Sequence, residues 1–108
     1  MINPLPEPIA AYFEGNTRFD VDAMLAPFAE DAIVSDENRT HRGTAAIRAW
    51  IEEATIGNRA LATPQALRVE DGDTLITAEV SGAFPGSPIT LGFRFALEDE
   101  RIARLAIT

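Results

Sequence analysis

Tyr12, Asp36 and His41 are the side chains of this sequence best suited to moving a proton, and two of them lie close along the chain. Asp36 and His41 flank Glu37-Asn38, which reads as a tight turn between two short strands. With that turn Asp36 pairs with Arg39 and Val34 with His41, so Asp36 and His41 stand diagonally on one face of the hairpin. The two then form an acid–base couple or a carboxylate that orients an imidazole. Alternatively, His41 is a surface residue and Arg39 is the ordinary partner of Asp36. Asp36 can equally serve as a turn residue bonded to its own backbone. Tyr12 is either a core aromatic with its hydroxyl at a rim or a hydrogen-bond donor to a developing oxyanion. A metal at Asp36 and His41 would need more ligands than the neighbouring residues supply, so no metal is expected, nor any cofactor.

The elements that must position these residues follow from periodicity. Pro8 suits a first helical turn, and Ile9, Tyr12 and Phe13 recur at helical spacing up to Gly15 or Asn16. Asp20 reads as the N-cap of a second helix with Val21, Met24, Leu25 and Phe28 on one face, which Pro27 should tighten or end. Short strands are expected at residues 32–36 and 39–42. Gly43-Thr44 then opens a third helix carrying Ile47, Trp50, Ile51 and Ala54, finished by Gly57-Asn58, with Glu52-Glu53 on a solvated face.

Beyond Pro64 the pattern becomes β. Asp71-Gly72 marks a hairpin between residues 65–70 and 73–82, pairing Val69 with Thr74 and Leu67 with Ile76. That register puts Leu67, Val69, Ile76, Ala78 and Val80 on one face. Residues 84–88 form a loop. Leu91, Phe93, Phe95 and Leu97 then alternate along a strand, and Ala103, Leu105 and Ile107 along the last one. A three-residue loop around Asp99-Glu100 would set that last apolar set beside the phenylalanines. Glu79 and Arg94, on central strands, can pair as ions. Helices first and strands later predict an α+β domain with helices packed on one face of a bent sheet.

Composition narrows the partners. The 108 residues suffice for one domain with one core. Seventeen acids oppose nine bases, all arginine, for a net charge of −8. Such a surface repels phosphate backbones and anionic membranes, so neither nucleic acid nor membrane is an expected partner. Without cysteine there is no disulfide framework and no thiol chemistry. The first eight residues have neither the basic start nor the apolar core of a signal peptide, and no apolar run is long enough to span a bilayer. A cytoplasmic protein is the expectation.

The run Phe28-Ala29-Glu30-Asp31-Ala32-Ile33-Val34-Ser35-Asp36, followed by His41-Arg42-Gly43-Thr44-Ala45-Ala46-Ile47-Arg48-Ala49-Trp50, resembles the nuclear-transport-factor-two-like superfamily. Within it the sequence is similar to SnoaL-like polyketide cyclases and ketosteroid isomerases, over nearly the whole chain from Pro8. The resemblance implies a cone in which a strongly curved, mainly antiparallel sheet wraps three N-terminal helices, with a pocket at one end, and commonly a homodimer. It also implies that Tyr12 is an oxyanion-hole donor and Asp36 a general base. The third acid of the isomerases has no counterpart, since Phe93, Arg94 and Phe95 occupy its strand. The expected function is small-molecule binding and, if the protein is an enzyme, isomerase- or cyclase-type proton transfer next to a carbonyl. The alternative is a non-catalytic ligand-binding or dimerisation module on the same fold. Asp36, Tyr12 and His41 are the candidate catalytic residues. Phe28, Trp50, Phe93 and Phe95 are the candidate lining for an apolar small-molecule ligand. Three helices can cover only one face of the sheet, so the other face is the expected dimer interface.

Overall fold

Pro8 stands in the first turn of helix α1 (Glu7–Thr17), where a missing N–H costs nothing, and the helix buries Ile9, Tyr12 and Phe13. The computed structural model describes residues 5–108. The N-terminal lead-in, read above against a signal peptide, falls partly on residues 1–4, outside the described residues. Asp20 caps helix α2 (Val21–Leu25) by accepting the Ala23 N–H at 3.1 Å. Gly43, at φ 87°, opens helix α3 (Thr44–Trp50). The helix then continues as a wider π-helical segment, Ile51–Ile56, that its periodicity did not disclose.

Six strands follow or interleave: β1 (Phe28–Asp36), β2 (Arg39–Arg42), β3 (Leu61–Glu70), β4 (Asp73–Ser81), β5 (Ile89–Glu98) and β6 (Arg101–Ile107). They form one curved sheet in the order β2-β1-β6-β5-β4-β3, antiparallel except where β1 lies parallel to β6. Helix α1 packs on β3 and β6, and α3 on β1 and β2. The core between them centres on Phe95, Ile9, Met24, Ile47, Ile51, Ile76, Ile102 and Leu105. This is the α+β cone expected from the sequence.

Several boundaries differ for identifiable reasons. Phe28 does not continue α2. Pro27 ends that helix, and the Pro27 carbonyl already accepts the Ile102 N–H at 2.9 Å, so the chain enters the sheet at Phe28. Strand β3 begins before Pro64 because the proline sits on an edge strand beside a bulge, where no ladder N–H is required. The last turn has two residues, not three. Asp99 and Glu100 both take positive φ, 52° and 62°, and pair Glu98 with Arg101. An irregularity between Ala96 and Leu97 accommodates Ala103 as an extra residue, which restores Leu105 opposite Phe95.

Candidate functional site

The open end of the cone holds a cavity of about 720 Å³, enclosed by α1, the β1–β2 turn, the π-helical segment and the inner face of the sheet. Its wall brings together Tyr12, Asp36, His41, Trp50 and Phe93. Phe28 and Phe95 are not on it. Both stand behind Tyr12, with ring centroids 5.9 and 5.8 Å from the tyrosine in edge-on contacts, and so belong to the core that holds that ring.

Asp36 ends β1 because Glu37 and Asn38, with φ of 52° and 62°, fold the chain back into β2. The register is the expected one, with Asp36 opposite Arg39 and Val34 opposite His41. The side chains nevertheless choose other partners. Asp36 Oδ2 accepts the indole N–H of Trp50 at 3.0 Å. Arg39 reaches Glu53 of the π-helical segment at 3.7 Å rather than Asp36. The His41 ring lies against the Trp50 ring, with centroids 6.1 Å apart and planes tilted by 33°. Aspartate and histidine thus flank a shared tryptophan.

Tyr12 is 4% exposed, and its ring also meets Phe13 edge-on at 5.2 Å. Burial first, and then the negative charge of Asp36, push its phenol well above the usual tyrosine range. The hydroxyl therefore stays protonated and within electrostatic reach of the carboxylate. A neutral donor and a carboxylate on one cavity wall can polarise a carbonyl and take a proton beside it.

The remaining wall is mixed in polarity. Strands β4 and β5 supply Val80, Ile89, Leu91 and Phe93, and β5 supplies no acid. Glu37, Arg39 and Glu53 stand at the mouth, so Glu53 belongs to the cavity rather than only to a solvated helix face. Sequence reasoning missed Asn16, Thr55 and Asn58, which also line it. Asn16 had read merely as the end of a helix. Thr55 and Asn58 depend on the phase set by the π-helical segment, which leaves no mark in the hydrophobic pattern. Arg94 does not pair with Glu79. Its guanidinium bonds Asp73 at 2.7 Å and Glu70 at 3.2 Å, outside the cavity.

Among the described residues no group of three or more histidine, aspartate or glutamate side chains is arranged to hold a metal ion. No helix among them is long and apolar enough to cross a membrane.

The SnoaL-like domain family matches residues 9–105 of the chain. The fold is similar to that of a candidate polyketide cyclase from Sinorhizobium meliloti, at 41% identity and a TM-score of 0.91, covering 96% of this chain and 95% of that one. A hypothetical protein with a ketosteroid isomerase-like fold from Catenulispora acidiphila, solved with trimethylamine, superposes at a TM-score of 0.81 with 19% identity. That match covers 97% of this chain and 86% of the other. An NTF2-like protein from Cytophaga hutchinsonii gives 0.79 at 12% identity, over 94% and 86% of the two chains. No curated protein matches the chain.

Proposed function

Because this chain belongs to the SnoaL-like domain family, we propose that its cone binds a small organic molecule with an apolar body and transfers a proton next to a carbonyl. Asp36 is the base and Tyr12 the hydrogen-bond donor in this reading. The observation that carries it is the Asp36 carboxylate on the cavity wall, beside a tyrosine whose phenol that same charge helps to keep protonated. The similarity to a candidate polyketide cyclase points to the same chemistry. The ligand carries no negative charge where it meets this wall: Asp36, Glu37 and Glu53 line it, and the one arginine there, Arg39, is engaged by Glu53.

A substrate-independent probe tests the reading. In 5-nitrobenzisoxazole a base removes the C3 proton, the C–H electron pair forms the nitrile, and the N–O bond breaks to give a phenolate. In this reading Tyr12 donates to that phenolate. The protein is expected to open this ring faster than acetate does, and Asp36→Asn should lose ~10²-fold of that rate or more. Turnover indifferent to Asp36→Asn would remove Asp36 as the base.

A second reading, binding without chemistry, is favoured by the absence of an acid from β5 at the cavity. Probe molecules that bind without turning over would support it. In either reading the protein acts in the cytoplasm as a homodimer through the outer face of the sheet, which the helices leave uncovered. Sedimentation at micromolar concentration showing only the 11.7 kDa monomer would exclude the dimer.

A further inference from the structure

Trp50 is the last residue of α3, placed where the helix widens into its π-helical segment, and it is 5% exposed. Its indole is therefore fixed by packing, and its one polar atom, Nε1–H, points at Asp36 Oδ2 from 3.0 Å. His41, reaching across from β2, lies against the indole ring at 6.1 Å. A carboxylate has two chemically equivalent oxygens and rotates freely when nothing holds it. A charge-assisted bond to one oxygen fixes the plane of the group and leaves the other to meet a ligand.

We propose that Trp50 is the positioning residue of the site. Its indole N–H claims Oδ2 of Asp36, so that Oδ1 is the oxygen that faces the ligand and takes the proton. This rests on the reading of Asp36 as the base. It adds a division of labour between the two oxygens and assigns it to a residue that has the look of simple core. His41 then acts on the indole, as a wall that limits its tilt, rather than as a direct partner of the aspartate. The role needs a rigid N–H donor, which explains why a tryptophan serves here and a phenylalanine of similar bulk would not.

The chain contains one tryptophan, so one indole N–H resonance reports the contact in the intact protein. In Asp36→Ala that resonance should move upfield and its exchange with solvent should accelerate. In Asp36→Asn, which keeps a weaker neutral acceptor, it should move part of the way. Trp50→Phe should lower kcat for 5-nitrobenzisoxazole ~10-fold or more, with KM held within about twofold, because the base is present but no longer aimed. An indole resonance that ignores both Asp36 substitutions overturns the proposal, even if Trp50→Phe fails to fold. A folded Trp50→Phe protein with unchanged kcat overturns it too. If its turnover still depends on Asp36, the assignment of the base survives. Turnover that never depended on Asp36 fails the earlier reading instead, and the positioning role goes with it.

Discussion

The side-chain amide of Asn16 holds the backbone on both sides of residue 61. Its Oδ1 accepts the Ala62 N–H at 2.7 Å, and its Nδ2 donates to the Ala60 carbonyl at 2.9 Å. Asn16 is 2% exposed and its bond to the Ala62 N–H is buried, so that backbone donor depends on the amide for its partner. The amide ties the end of α1 to the start of β3 and thereby fixes one wall of the cavity. Asn16→Ala removes both bonds and leaves the buried Ala62 N–H without its acceptor, and is expected to cost about 1–3 kcal/mol in urea unfolding. A loss well under 1 kcal/mol would mean that the wall closes without this bridge.

Asp36 yields a paired prediction on stability. Asn in its place still offers a carbonyl oxygen to the Trp50 indole N–H, so Asp36→Asn should change the unfolding free energy by less than about 1 kcal/mol. Asp36→Ala leaves that buried donor without its acceptor and should cost about 1–3 kcal/mol. Equal losses in the two variants, again by urea unfolding, would show that the charge rather than the hydrogen bond holds the hairpin to α3.

The two-residue turn at Asp99-Glu100 needs positive φ at both positions, a conformation that glutamate adopts at a cost and glycine does not. Glu100→Gly should therefore stabilise the protein by about 0.5–1 kcal/mol, read as a raised midpoint in urea. A lowered midpoint would place the favourable contacts of Glu100 above its backbone strain.

The same turn shows how far the sequence was legible. Asp71-Gly72 announces its geometry, and Val69 and Leu67 meet Thr74 and Ile76 as that turn requires. At Asp99-Glu100 the expectation of a three-residue loop rests on the apolar alternation of β6 alone, since a two-residue turn without a bulge would expose Ala103, Leu105 and Ile107. The apolar alternation of β6 was right about the outcome, Leu105 beside Phe95, but a bulge at Ala103 achieves it. Local pattern thus gave the faces and missed the device. At the cavity, Tyr12, Asp36, His41 and Trp50 were each visible as residue types. Their hydrogen bonds were not, because Trp50 meets Asp36 across 14 positions, and Asn16 meets Ala62 across 46. Only the packing of the helices on the curved sheet brings such residues together.

Tyr12 supplies a prediction that needs no ligand. Its folded-state ionisation is raised by burial and by Asp36, while in the unfolded chain it titrates near its ordinary value of about 10. Below that value the phenol is protonated in both states and contributes nothing to pH dependence. Above it the unfolded chain releases the proton while the folded one retains it, so stability must fall as pH rises, by up to about 1.4 kcal/mol per pH unit. The composition makes the measurement clean. The chain has one tyrosine, no lysine and no cysteine, so it holds no second side chain of a type that ordinarily ionises in this range. Urea unfolding from about pH 8 to about pH 11 should show a flat region followed by a steep decline. Tyr12→Phe keeps the ring among Phe13, Phe28 and Phe95 and removes the hydroxyl, so its alkaline limb should be shallow. Near-ultraviolet absorbance follows the same group directly, and phenolate should appear only as the protein unfolds. Phenolate forming in the folded protein at the ordinary value would mean that the hydroxyl is open to water, and Tyr12 would then be unfit to serve as a sheltered donor to the ligand.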